Sequence, residues 1–153
     1  MESNKNRHIR ARVTNDNVTL LDIWHRSVKA THLFLTELQI EELYPLVRDC
    51  YLDAMPVWVL EDTANTVIAF IGMDEHRVEM LFVDPDYRGS GAGTQLLDFA
   101  RTQYDTIEVD VNEQNPQALG FYTHYGFTPI GRSEHDSDGR PFPLIHMRFS
   151  RSK

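Results

Sequence analysis

"VDPDYRGSGAG", residues 83–93, sets three glycines, an arginine and a proline between two apolar runs. Gly89, Gly91 and Gly93 stand on alternate positions. Each glycine costs backbone entropy on folding, so three together imply that the backbone itself meets something. The run before them, "VEMLFV" (78–83), is rich in β-branched and aromatic residues and reads as a strand. After them Ala92, Leu96, Ala100 and Tyr104 recur every four residues, the spacing of a helix. A glycine loop feeding a helix N-terminus presents unpaired N–H groups to one point. The helix dipole adds to them, and the result is an anion site suited to phosphate. Arg88 adds positive charge at the rim. The plainer alternative is a tight strand-to-helix turn, for which one glycine suffices. A Walker loop is excluded because it needs a lysine that this stretch lacks. A dinucleotide fingerprint fails too, because its sixth position falls on Thr94 or Leu96. The pattern that fits is R-x-x-G-x-G, as Arg88, Gly91 and Gly93.

Working outward, "HIRARV" (8–13) alternates as an edge-type strand. Asn15 or Asn17 can cap a helix carrying Leu20, Ile23, Trp24 and Val28 on one face. Thr36 with Gln39 forms a capping box for a second helix. Its apolar stripe is Leu43, Leu46, Val47 and Cys50, and Pro45 inside it is expected to kink or split it. "PVWVL" (56–60) and "TVIAFIGM" (66–73) form a hairpin around "EDTAN". "TIEVDV" (106–111) alternates strictly. Asn115 followed by Pro116 opens a last helix, which Gly126 closes. "FTPIGRSE" and "FPLIHMRF" are two final strands. The order is β–αα–βββ–α–β–α–ββ, a mixed α/β sheet with a parallel βαβα centre. The 153 residues suit a single domain, 1–153, without repeats or linkers.

The composition excludes several classes of function. A net charge of −8 argues against nonspecific nucleic-acid binding, and it is compatible with a cationic substrate. One cysteine, Cys50, allows neither an internal disulfide nor a cysteine-based zinc site. The histidines lack H-x-x-x-H spacing, so no metal is expected. "MESNKNRH" (1–8) has no apolar stretch of a signal peptide, and no run approaches the ~18 residues of a membrane span. A cytoplasmic protein is expected.

The glycine stretch resembles motif A of the GCN5-related N-acetyltransferases, the GNAT superfamily. "MLFVDPDYRGSGAGTQLL" is similar to the family's strand, pyrophosphate loop and helix. "VNEQNPQALGFYTHYGF" is similar to its following strand and helix, with the pattern N-x-x-A-x-x-F-Y-x-x-x-G-F. The tail "GRSEHDSDGRPFPLIHM" and the early "RSVKATHLFL" resemble a small bacterial subgroup of single-domain members.

The resemblance implies the family's mixed sheet, with strands 78–83 and 106–111 splayed apart. It implies acetyl-CoA, or another short acyl-CoA, as donor. Arg88, Gly89, Ser90, Gly91, Ala92, Gly93 and Thr94 would cradle the pyrophosphate. Backbone groups of Leu81, Phe82 and Val83 would pair with the pantetheine arm, and an amide near Phe82 would hold the oxyanion. Asn115 would touch the cofactor; its plain alternative is a helix cap, and it can do both. Asn112 is a further candidate. Tyr122 would be the general acid toward the leaving thiolate, against a purely structural tyrosine. Glu79 would be the general base, against a charged residue at a strand end. His32, in "ATHLFL", would line the acceptor site. The acidic turn "EHDSDGRP" (134–141) is expected in solvent, or folded over the site with Asp136 or Asp138 toward a cation. Trp24, Phe34 and Trp58 are expected in the core. The expected reaction is direct attack of a small-molecule or protein amine on the donor in a ternary complex. The protein would be a monomer or homodimer. A non-catalytic acyl-CoA-binding module and an unrelated nucleotide-binding protein are the alternatives.

Overall fold

The computed structural model describes residues 6–32 and 34–150. Residues 1–5, which carry most of the leader reading, lie outside that range, as does Leu33. The elements run β1 (His8–Ala11), α1 (Asn17–Thr31), α2 (Glu37–Leu46), β2 (Val57–Glu61), β3 (Val67–Asp74), β4 (Arg77–Val83), α3 (Ala92–Arg101), β5 (Thr106–Asn112), α4 (Pro116–Tyr125), β6 (Thr128–Ser133) and β7 (Leu144–Ser150). This is the expected order. The strands form one sheet, β1-β2-β3-β4-β5-β7-β6, in which only β4 and β5 are parallel neighbours.

Each helix follows an apolar stripe, but only α2 and α4 carry a side-chain cap; α1 begins at Asn17 after Asp16 with no side-chain cap bond, so neither Asn15 nor Asn17 caps it as expected. On α1 the four apolar positions named above are all buried, Leu20 and Ile23 completely. Thr36 and Gln39 close the capping box: Gln39 N donates to Thr36 Oγ1 at 3.1 Å, and Thr36 N donates to Gln39 Oε1 at 2.8 Å. The helix ends in a way the stripe did not anticipate. Pro45 has no N–H to continue the ladder, and two residues later the chain widens into a π turn, Val47–Tyr51. Val47 is buried, but in the wider turn three residues no longer bring Cys50 back to its face. Cys50 is exposed, and so is Leu46, which corrects the expected stripe.

The sheet separates two core clusters. One contains Leu96, Leu97 and Ala100 of α3 with Ile107, Val109 and Val111 of β5. The other packs α1 and Ile40 of α2 against Phe70 and Met80. Two features of the sheet position the site. First, β4 and β5 pair only at Arg77↔Glu108 and Val78↔Val109, and no further pairs form along Glu79–Val83. The expected splay is therefore present. Second, β4 carries a bulge at Glu79: Met80 pairs with Gly72, and Val78 pairs with Met73. As a result Val78 and Leu81, three residues apart, pack on the same cluster.

Carboxylates lock the turns around this frame. Asp84 accepts two bonds from Arg26 of α1, both 2.9 Å, and one from Asp86 N, which pins α1 to the start of the glycine loop. Asp16 is gripped likewise by Arg10, at 2.8 and 2.9 Å. Buried Asp62 accepts from the amides of Ala64 and Thr66. The arginine partners hold the Asp84 and Asp16 carboxyls below the usual carboxylate range, and the amides, that of Thr66 foremost, do so for Asp62. A carboxylate depressed in the folded state contributes stability above its unfolded pKa of about 3.9, and that contribution is lost as pH falls through the folded value. Thermal melts should therefore hold steady from pH 7 to 5 and fall steeply below about pH 4. Asp84→Asn should cost about 1–2 kcal/mol at pH 7, discounted because Arg26 is partly in solvent, and should show a shallower acid decline. An unchanged acid decline in Asp84→Asn would remove Asp84 from the account.

Candidate active site

The glycine loop joins β4 to α3 through a short turn at Pro85–Tyr87. Gly89 has φ +78° and Gly91 φ +86°, a region that side chains disfavour. Gly91 is the residue before α3, so the unpaired amides of Ala92, Gly93 and Thr94 emerge beside it. A Cβ at Gly89 would meet open space. Gly93 differs, because a Cβ there would come within 3.0 Å of the Phe121 ring of α4. Its glycine serves close helix packing rather than ligand approach. Arg7, which the sequence did not suggest, reaches across to the loop. Its Nη1 donates to the Ser90 carbonyl at 3.2 Å and to Gln95 Oε1 at 3.1 Å.

A cleft of about 400 Å³ runs from this loop along the open edge of β4, between the end of α1 and α4. Leu81, Phe82, Val83, Arg88, Gly89, Gly91, Gly93, Thr94, Asn115 and Tyr122 all face it, so most of the expected cofactor residues converge. The open backbone of β4, the helix-end amides and Arg88 suit a long phosphorylated thioester. Buried Asn115 accepts from Ala118 N at 3.2 Å, so it is a helix cap that also faces the cleft.

Tyr122 lies at the inner end, 7% exposed and wedged edge-on between Phe121 and Phe127. Burial pushes its hydroxyl well above the ordinary tyrosine value, so it stays protonated at any working pH. Glu79 sits at the bulge, about one-third exposed, 3.6 Å from Arg77 Nε. Arg77 also bonds Asp110 of β5 at 2.7 Å, which ties the two strands where they part. Glu79 faces a smaller cleft between β4 and β5, about 170 Å³, which Tyr122 and Asn112 also line.

A third cavity, about 330 Å³, opens between α1, α2 and the segment before β7. Trp24, Phe34, Leu43 and Phe142 wall it, with Glu42 and Asp136 as acids. Phe34 is thus a cavity wall, its ring 5.4 Å from that of Phe142, and not the core residue expected. Asp136 does fold toward the site, as the second reading of the acidic turn held, and Arg140 pairs with it at 3.7 Å. Burial pushes the half-buried His32 down to about 4.

The comparisons with known proteins agree with this geometry. The model of an acetyltransferase (GNAT) domain matches residues 39–150. The chain belongs to the GNAT acetyltransferase family. A peptidyl-lysine N-acetyltransferase, YjaB of Salmonella typhimurium, is 42% identical over 130 residues, which are 85% of this chain and 89% of that one. The solution structure of apo YjaB from Escherichia coli superposes with TM-score 0.89 at 38% identity, covering 95% of this chain and 99% of that one. The structure of yncA from Salmonella typhimurium with acetyl-CoA shares the fold, at TM-score 0.66 and 18% identity over 96% and 95% of the chains. The present GNAT chain is an acyl-CoA-dependent N-acetyltransferase.

Among the described residues, no helix is long and apolar enough to cross a membrane, and no three His, Cys, Asp or Glu side chains group as metal ligands. The GNAT motifs made the cofactor side legible. They gave no signal for Phe142, Gln39 or Glu42, which reach the third cavity from a loop and a helix far apart in sequence. The facing aromatics Phe34 and Phe142 were the nearest thing to a clue.

Proposed function

We propose that this enzyme acetylates the ε-amine of a protein lysine by direct attack on acetyl-CoA in a ternary complex, in the cytoplasm. The observation that carries this reading is the junction of two cavities. The cofactor cleft and the apolar-walled acceptor cavity share His32 and Phe82. A lysine suits the second cavity, because its four-carbon stem lies along Trp24, Phe34 and Leu43 while Glu42 and Asp136 favour its charge. The YjaB relative, named for peptidyl-lysine transfer, supports the same choice. The net charge of −8 disfavours a nucleic-acid acceptor.

In this reading Arg88 and the amides of Gly89 and of Gly91 to Thr94 hold the pyrophosphate, while the Ser90 amide is taken by the Tyr87 carbonyl. Backbone groups of Leu81 to Val83 hold the pantetheine, with the Phe82 amide at the oxyanion. Asn115 steadies the cofactor arm. Tyr122 protonates the departing thiolate, a role its raised pKa fits. The amine's proton has two candidate acceptors, Glu79 and His32. One chain holds both cavities, so the reading applies to a monomer or a homodimer.

Calorimetric titration should give micromolar binding of acetyl-CoA and none of ATP or NAD. An Nα-blocked lysine peptide should then gain one acetyl group on its ε-amine. Binding without turnover on any amine would favour a non-catalytic acyl-CoA module. Absence of acetyl-CoA binding would end the proposal.

A further inference from the structure

We infer that His32 takes the proton that the acceptor amine sheds as its nitrogen bonds to the acetyl carbon. The inference rests on the acetyl-transfer reading above and names the base it left open. The cofactor cleft, the acceptor cavity and the cleft between β4 and β5 meet at two residues, His32 and Phe82. Among the described residues, His32 is therefore the one titratable side chain that faces all three. Glu79 faces only the last, beside Arg77.

The hydrogen bonds assign the tautomer. Thr31 Oγ1 lies 2.8 Å from the Ser27 carbonyl, which can only accept, so the hydroxyl proton is committed there. The same Oγ1 lies 2.9 Å from His32 Nδ1 and must accept from it. Nδ1 carries the ring proton, and Nε2 keeps a free lone pair. Burial keeps the ring neutral at working pH, the form that can accept a proton. Glu42, Asp136, Arg140, Arg88, Glu79 and Asp110 line the three cavities around it.

The step balances. The bound ammonium first gives one proton to solvent through the acceptor cavity; the neutral amine then attacks, the N–C bond forms and the C–S bond breaks. The N–H proton passes to Nε2, and sulfur leaves with the Tyr122 proton. The imidazolium then releases its proton to solvent through the acceptor cavity, and the phenolate regains one. A weakly basic imidazole suffices, because a nitrogen bonded to the acyl carbon is far more acidic than a free ammonium.

The test uses the Nα-blocked lysine peptide with His32→Ala and the volume-conserving His32→Gln. Both should lose about 10²-fold in kcat while binding acetyl-CoA within about 2-fold of wild type. Added imidazole should restore His32→Ala about 10-fold and leave wild type unchanged, with rescue rising along a series of more basic imidazoles. Wild-type turnover in His32→Gln overturns the inference. So does a loss that no imidazole relieves, or a rescue indifferent to basicity. Nitrogen chemical shifts of the wild-type imidazole at pH 7 give an acceptor-independent check: a protonated Nε2 overturns the inference even if the variants are unstable. If wild type fails to acetylate the peptide, the lysine reading is what fails, and the shifts still decide the state of His32.

Discussion

Tyr122→Phe is expected to lower kcat by about 10²-fold or more while acetyl-CoA affinity stays within about 2-fold. The ring fills its site between Phe121 and Phe127 with or without the oxygen, so the variant removes a proton donor and little packing. The buried phenol remains protonated far beyond the assay range, so the loss should be the same at pH 6 and pH 9. That constancy separates an acid from a titrating side chain. Full turnover in Tyr122→Phe would remove it from the chemistry. An equal loss of affinity would make it a cofactor contact instead.

Gly91→Ala should strike the other end of the cleft. At φ +86° a Cβ costs about 1–2 kcal/mol, which for a chain of this size lowers the melting temperature by about 2–8 °C. Gly91 also borders the first amides of α3, where the pyrophosphate is proposed to lie, so the strain reaches them. Acetyl-CoA affinity should fall by about 10-fold or more, since one disrupted charge-assisted bond is worth about 1.5–3 kcal/mol. A truncated thioester without phosphates, such as S-acetyl-N-acetylcysteamine, separates the two effects. Its kcat/KM should change by less than about 2-fold, because it has nothing for the loop to hold. An equal loss with both donors would mean that the substitution distorts the whole cleft and that the loop holds no phosphate.

How far the sequence could be read follows from the range of the interactions. The glycine loop, the Thr36–Gln39 box and the Asn115 cap are each set by residues within a few positions, and each appears as read. The hairpin around residues 62–66 is local too. Cys50 was misplaced because a π turn shifts the phase of a stripe, and no residue type announces one. The bulge at Glu79 breaks the alternation of β4, and nothing in "VEMLFV" marks where it falls. The Gly93 position looked like its neighbours until the Phe121 ring was seen to occupy the missing Cβ. The acceptor cavity is the least legible part, since α1, α2 and the loop before β7 meet only in three dimensions.

The two residue pairs between β4 and β5 make the sheet two leaves joined by a short seam. Four strands lie on one side and three on the other. Every other neighbouring strand pair is joined by at least four residue pairs, so the seam is the weakest line in the sheet, and its opening should need the least free energy of any concerted motion there. Arg77 stands at the tip of the parting, bridging Asp110 and, at 3.7 Å, Glu108, much as a rivet stops a crack from running. One core cluster spans the seam, with Ile68 and Ile71 of β3 joined to Ile107 and Val109 of β5, so side chains hold the leaves together where backbone bonds are missing. Widening the cleft therefore breaks few backbone bonds, and the shared core keeps the fold while the enzyme loosens its grip on a spent ligand.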